Sequence, residues 1–328
     1  MNREQIEKAI DLRKENKILA KYGISYLDDL LCGIASKDFV LIGAESGAGK
    51  TELAVEIMKE CAKTTRVRML ALEADDGEPI QRLDYKNRVK LYYADNYRKH
   101  QTIDYRRFQN NLIDLEKYKE GSLTALEEDL KNVIVDYKGE EFTITTLTQL
   151  IGNIKDEVDV LIIDHVDYFD LDNGDNDNEH MSKLMQTLRK MNQIYGITII
   201  AISHLKKSNF VKGKVIPTME DFHGSSSKFK QVKVCILLAP DYDNRDYAGG
   251  RFGTYITVPK TRAGANNALV ARMMFNSRYN AYEKEYELLR VIRGGELGEK
   301  VEEHNLPNWY QDHKELPKNV IEVKEFFK

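Results

Sequence analysis

Residues 44 to 51 run Ala44, Glu45, Ser46, Gly47, Ala48, Gly49, Lys50, Thr51. Glycines allow a loop to turn its backbone N–H groups toward phosphate oxygens, a lysine can reach the outer phosphates, and a hydroxyl can bind magnesium. Gly47, Gly49, Lys50 and Thr51 supply these parts. Ala44 stands where the pattern usually has glycine, and Glu45 must turn outward to clear the phosphates. The chemistry such a loop offers is capture of a nucleoside triphosphate, ATP, together with Mg2+.

Three further polar residues stand at the ends of apolar runs. Asp164 follows Val160-Leu161-Ile162-Ile163, the placement of a carboxylate that holds magnesium at a strand end. Glu73 ends Val67 to Leu72, a strand expected to neighbour the phosphate loop, and is the candidate base for water, with Asp75, Asp76 and Glu78 close by in sequence. His204 ends Ile199-Ile200-Ala201-Ile202-Ser203, where it could sense the γ-phosphate.

The elements that must position these residues are legible from periodicity. Phe39-Val40-Leu41-Ile42 reads as the strand before the loop, and Glu52 to Lys63 carries Leu53, Ala54, Ile57, Met58 and Cys61 at helical spacing. Residues 2 to 20 read as a charged helix with a thin stripe of Ile6, Ile10, Leu12, Ile18 and Leu19, and Gly23 to Ile34 as a short helix closed by glycine. Strands are expected at 158–163, 197–202, 232–238, 255–258 and 268–275, with a helix over 181–195 and mostly helical segments between Leu72 and Val158. Strands alternating with helices imply an α/β fold with a mainly parallel, twisted sheet covered by helices on both faces.

Composition narrows the class. The net charge is −4 with 31% charged residues, so any contact with a polyanion must be local. Cys32, Cys61 and Cys235 are widely spaced and odd in number, which suggests neither disulfides nor zinc but buried small hydrophobes. No apolar run approaches the roughly 18 residues a membrane span needs, so the expectation is a soluble, cytoplasmic protein. Asp170 to Glu179 is rich in aspartate, but a calcium loop would need a glutamate where Met181 stands, and a mobile acidic loop is expected instead. From Arg82 to Arg107, Tyr85, Tyr92, Tyr93, Tyr97 and Tyr105 alternate with basic residues, a pattern that fits helix packing better than base stacking.

Taken together, these motifs resemble the RecA-like P-loop ATPase domain of DnaB-type hexameric replicative helicases and phage primase-helicases. The resemblance runs from about residue 20 to 285. It also takes in Gly23 to Gly33, Arg82-Leu83, Ser203-His204-Leu205, Asp221 to Ser225, Lys260-Thr261-Arg262-Ala263-Gly264 and Phe275-Asn276. It implies a RecA-like core with a C-terminal β-hairpin, ATP and Mg2+ as cofactors, and a homo-oligomeric, hexameric ring with nucleotide bound between subunits. By the same resemblance Lys50 and Thr51 bind phosphate and magnesium, Asp164 binds magnesium and Glu73 activates water. His204 couples nucleotide state to DNA loops, and Lys260 and Arg262 reach across the interface as an arginine finger. The stretch facing the channel corresponds to Gly224, Ser225, Ser226, Ser227, Lys228, Phe229 and Lys230, expected to hold single-stranded DNA by its phosphates.

Three units follow: residues 1–22 as a helix that docks on a neighbouring subunit, 23–285 as the ATPase domain, and 286–328 as a C-terminal extension. The extension ends in a possible amphipathic helix over Asn319 to Lys328, able to recruit a replication or element-encoded partner. The implied function is an ATP-driven motor that translocates on single-stranded DNA in replication. The alternative is a RecA-like ATPase working as an oligomeric switch or scaffold without unwinding.

Overall fold

The computed structural model describes residues 2–12, 16–45, 47–96, 103–137, 139, 141–171, 176–206, 216–222, 226–246, 250–261, 268–292 and 296–311. The strands are β1 (Ile18–Ala20), β2 (Ile34–Ala35), β3 (Phe39–Ala44), β4 (Val67–Ala71), β5 (Val133–Tyr137), β6 (Val160–Asp164), β7 (Thr198–His204), β8 (Val234–Asp246), β9 (Arg251–Thr261), β10 (Leu269–Asn276), β11 (Ala281–Ile292) and β12 (Glu296–Lys300). Ten of them form one sheet in the order β12-β11-β10-β9-β8-β3-β7-β6-β4-β5, while β1 and β2 pair separately.

The sheet has two halves. From β8 through β5 every neighbouring pair is parallel. From β8 through β12 every pair is antiparallel. In the parallel half, strands such as β3 and β6 are buried at every residue, because helices cover both faces. Alternate side chains feed two cores. Val40, Ile42, Ile162, Ile200 and Ile202 pack with Leu53, Ile57 and Met58 of the helix Lys50–Ala62. Phe39, Leu41, Leu161, Ile163 and Ile199 pack with Leu147 and Ile151 of the helix Ile144–Ile154 and with Leu184 and Leu188 of the helix Asp177–Tyr195.

Several expectations change. The strand carrying Glu73 does not lie beside the phosphate-loop strand, since β7 and β6 stand between β3 and β4. The charged helix is Arg3–Asp11 only, because Ile18 and Ala20 are drawn into pairing with Ala35 and Ile34. The short helix Ser25–Leu31 closes on Cys32, which takes the left-handed conformation with φ 62°. That cysteine is exposed, whereas Cys61 and Cys235 are buried. The edge strand β5 lies in a stretch expected to be mostly helical, and β11 runs through the boundary placed at residue 285 and continues the sheet. Beyond it Trp309 and Tyr310 pack on Tyr26 and Tyr286, so the chain through Tyr310 stays attached to this core. The amphipathic helix expected at 319–328 lies outside the described residues.

Where it is described, the aromatic and basic stretch is packing, while Tyr97, Arg98 and Lys99 lie outside the described residues. Tyr85, Tyr92, Ile103, Leu115 and Tyr118 form their own small core, with Arg82 over Tyr105 and Arg88 over Phe108. Of the acidic loop, Asp172 to Asp175 lie outside the described residues, and Asn176 caps the helix Asp177–Tyr195 by accepting from the Glu179 N–H. Among the described residues, no helix is long and apolar enough to cross a membrane.

Candidate nucleotide site

The phosphate loop connects β3 to the helix Lys50–Ala62, and only glycine makes this connection without strain. Gly47 and Gly49 have φ of 78° and 85°, and Gly49 stands as the residue just before the helix. Gly43 in β3 is needed for space, since a Cβ there would sit 2.5 Å from the Phe222 ring. The first turn of the helix therefore points its free N–H groups at the loop, where negative charge is favoured. Ser46 lies outside the described residues. Glu45 is half-buried, and its carbonyl accepts a 3.0 Å hydrogen bond from Lys50 Nζ. Burial lowers the Lys50 ammonium below its ordinary range, opposed by the negative charges of Glu73, Asp164, Asp167 and Glu45. Across the loop, the Tyr282 hydroxyl lies 3.3 Å from where a Gly49 Cβ would be, and its ring meets Phe275 edge-on.

Parallel strands end at one edge of the sheet, so the residues that close β4, β6 and β7 meet in front of the loop. Asp164, the last residue of β6, is fully buried, and neither of its carboxylate oxygens accepts a well-formed hydrogen bond. Burial pushes its carboxyl up to about 6, with the Thr51 hydroxyl and Lys50 pulling the other way. A buried carboxylate left unsatisfied beside a hydroxyl is an arrangement that fits a hard cation with oxygen ligands. Thr51 and Asp164 thus suit magnesium.

Glu73 is one third exposed and faces both histidines. His165 Nε2 is 3.0 Å from Glu73 Oε2, His204 Nε2 is 3.7 Å from Glu73 Oε1, and the Tyr168 hydroxyl donates to Oε1 at 3.2 Å. Glu73 reaches the site although its strand is remote, because the chain after β4 turns along the sheet edge, where the Leu72 and Glu73 N–H groups bond the Asp164 carbonyl. Burial drives His165 down to about 3, with the neighbouring His204 adding to the effect, and burial also lowers His204. Both rings are therefore held toward their neutral form beside the Glu73 carboxyl group.

Behind this pocket lies a second polar cluster that sequence reasoning missed. Asp167, on the short turn Val166–Tyr168, accepts from the Ser203 hydroxyl at 2.9 Å and from the His204 N–H at 2.7 Å. Its other oxygen accepts from Lys228 Nζ, which also donates to Ser203 Oγ at 2.7 Å. Burial alone would raise the Asp167 carboxyl, but Lys228 and the His204 N–H hold it below its ordinary range. The only signal in the sequence was a second aspartate three residues after Asp164, following a buried strand.

This cluster corrects the reading of Lys228. It is fully buried and its ammonium is engaged by Asp167 and Ser203, so it does not face a polyanion. Lys230, two residues on, is exposed, and Ser226 begins the helix Ser226–Gln231. Gly224 and Ser225 lie outside the described residues, as does Arg262. Lys260 near the end of β9 donates to the Phe229 carbonyl of its own chain, tying the hairpin to that helix. The expected finger is thus described only at its base.

With the geometry in place, residues 20–284 match the family described as the DnaB-like helicase C terminal domain. The chain belongs to this DnaB-like family. It is similar to a "Probable plasmid replicative DNA helicase" of Chlamydia muridarum (strain MoPn / Nigg), 24% identical over 220 residues, which covers 62% of this chain and 43% of that protein. It is likewise similar to a protein of the same name from Chlamydia trachomatis serovar L2, 24% identical over 249 residues, 74% of this chain and 50% of that one. The chain thus spans about half the length of these relatives or less. Among solved structures, one titled as a DnaB-like replicative helicase and its interactions with primase is 17% identical. It superposes with a TM-score of 0.68 over 86% of this chain and 66% of that one. A solved ATPase domain gives the same identity and TM-score over 86% of this chain and 96% of its own. At such identities the superpositions establish the RecA-like fold of the DnaB-like ATPase domain, and nothing more.

Proposed function

We propose that this chain is the ATP-hydrolysing motor of a replicative DNA helicase. The observation that carries the proposal is the meeting of Lys50, Thr51, unsatisfied Asp164 and Glu73 at one edge of the parallel sheet. ATP would lie with its phosphates on the loop from Ala44 to Thr51, Lys50 exchanging the Glu45 carbonyl for phosphate oxygens. Magnesium, when bound by Thr51 and Asp164, would neutralise charge on the phosphates. Glu73, anchored by Tyr168, is the group that takes a proton from the attacking water. His204, the last residue of β7, faces the same space and would read the presence of the γ-phosphate.

The remaining parts of the reading rest on family membership. The motor works as a homo-oligomeric, hexameric ring in the cytoplasm. Lys260 and Arg262 from a neighbouring subunit complete each pocket, and the helix Arg3–Asp11 docks on that neighbour. Single-stranded DNA is held along Gly224, Ser225, Ser226 and Lys230, while Lys228 supports that segment from within. Residues 312–328 contact a replication partner. ATP hydrolysis is measured with and without single-stranded DNA at low salt, with Lys50→Ala as control. Stimulation by DNA that the variant loses is the expected result. Hydrolysis that DNA neither stimulates nor binds to would refute the motor and leave an ATPase switch.

A further inference from the structure

Among the described residues, His165 and His180 are buried histidines with neither ring nitrogen in an aligned hydrogen bond, and His165 is the one that stands at the nucleotide site. Its ring is fully buried, and neither nitrogen makes an aligned hydrogen bond, a costly state for an imidazole. Both nitrogens nevertheless face acceptors. Nε2 lies 3.0 Å from Glu73 Oε2, and Nδ1 lies 3.5 Å from Asp167 Oδ2. His204 brings a second imidazole edge-on, with ring centroids 3.9 Å apart and Nε2 3.7 Å from Glu73 Oε1. One donor atom from each of Glu73, His165 and His204 falls within 4.8 Å of the other two.

That spacing has a chemical meaning. An ion with bonds of about 2.0 to 2.1 Å to nitrogen or oxygen in tetrahedral geometry holds its ligands roughly 3.3 Å apart. His165 Nε2 at 3.0 Å from Glu73 Oε2 and His204 Nε2 at 3.7 Å from Glu73 Oε1 place each imidazole near that spacing from one oxygen of the carboxylate before any ion is bound. Two imidazoles and one carboxylate form a borderline donor set. It suits zinc and its neighbours and suits magnesium poorly, because magnesium prefers oxygen. Three protein ligands with Glu73 one third exposed leave a fourth position open to water.

We propose that Glu73, His165 and His204 form a binding site for a zinc-type divalent ion, separate from the magnesium position at Thr51 and Asp164. An ion held there occupies the carboxylate that would act on water and the histidine that would read the γ-phosphate, so it arrests hydrolysis. That consequence, unlike the binding itself, rests on the function proposed above. Lys50 is close enough to interact electrostatically with Glu73 and with both histidines, and its positive charge opposes a second cation. Removing that charge should tighten the site.

Cobalt(II) serves as the probe, because in a four- or five-coordinate nitrogen and oxygen site it absorbs visibly, whereas the hydrated ion is almost colourless. The full chain, without nucleotide and in excess magnesium, is expected to take up one equivalent and develop these bands, with zinc displacing cobalt. His204→Gln, at a partly exposed position, should weaken binding by on the order of a hundredfold or more. That exceeds the roughly ten- to hundredfold lost with an outer-shell partner. Lys50→Ala should strengthen it, although the same variant lowers nucleotide affinity. His165→Gln should also remove the bands, with circular dichroism confirming the fold. Absence of the bands in the wild-type chain, or bands that survive His204→Gln, would overturn the proposal. Because these readouts need no hydrolysis, they stand even if the motor reading fails. Zinc inhibition of hydrolysis at one equivalent tests the consequence alone.

Discussion

Two polar pockets lie back to back at the edge of the parallel sheet, and they differ in whether their groups are satisfied. In the front pocket Asp164 has no well-formed hydrogen bond, His165 has none, and Lys50 rests on a backbone carbonyl. In the rear pocket Asp167 gathers Lys228, Ser203 and the His204 N–H. The two aspartates are three residues apart on one chain segment, yet burial shifts Asp164 up while partners hold Asp167 down. Buried polar groups left open are poised for something that comes from outside the chain, and buried groups that close on one another hold the fold. The front pocket is therefore where chemistry is expected, and the rear one is where loss of a partner should be felt as instability.

Glu73→Gln tests the front pocket most severely. It keeps the shape and removes the base, so the rate constant for hydrolysis should fall by roughly 10^2 to 10^4-fold, with ATP affinity and thermal stability little changed. Turnover and nucleotide binding measured on the same preparation decide this, and a variant that keeps its turnover would move the base elsewhere.

Asp167→Ala should do the reverse. It leaves the Lys228 ammonium buried with Ser203 as its remaining partner, and breaking a buried pair this way costs about 3 to 5 kcal/mol. The double variant Asp167→Leu with Lys228→Met replaces the pair by apolar groups and should recover most of that loss. Urea denaturation of the wild type and these two variants gives the loss and its recovery. If Asp167→Ala costs less than about 1 kcal/mol, the rear pocket is not structural and the contrast between the pockets fails.

How far this contrast could be read from the sequence follows from what produces it. The phosphate loop, Asp164, Glu73 and His204 were legible because each sits beside an apolar run, and parallel strands deliver the residues at their C-terminal ends to one edge. His165 and Asp167 were not, because a turn after a strand has no periodicity to say which way a side chain faces. Lys228 was misread for a related reason. A lysine among Ser226, Ser227 and Lys230 looks solvated until the fold places Asp167 beside it. The antiparallel half was the least legible. Fragments of β8 and β9 and nearly all of β10 stood out, but β11 and β12 did not, because alternation there is shared between a covered and an open face. The edge strand β5 was lost because it presents Ile134 to solvent.

A smaller effect follows from Asp164 itself. With a folded-state value of about 6 against roughly 3.9 unfolded, the native chain holds the extra proton between these limits. The contribution of Asp164 to stability therefore falls as pH rises from about 4 to 6, and its cost, an upper limit of about 3 kcal/mol, is fully present above pH 6 and absent below pH 4. Asp164→Asn should remove this slope and make the chain more stable at pH 7, while abolishing the gain in stability that Mg2+ and nucleotide give the wild type. Denaturation curves at pH 4.5 and 7 in chelator provide the check. Equal slopes in both proteins would mean that Asp164 is satisfied in solution, and the front pocket would lose its distinguishing feature.

The smallest effect on folding is expected where apolar groups are left open. Ile6 and Ile10, one turn apart on the helix Arg3–Asp11, are 43% and 57% exposed. Single exposed aliphatics are ordinary, but a helix of nine residues with no core contact for its stripe gains little stability by itself. On the reading that this helix docks on a neighbouring subunit, its stripe is completed by another chain, as the front pocket is completed by nucleotide. Ile6→Ser with Ile10→Ser should then change the unfolding free energy of the isolated chain by no more than about 0.5 kcal/mol. The same pair should lower the mass measured by light scattering from that of the ring toward that of one chain. If the mass holds, the stripe is an ordinary solvated face.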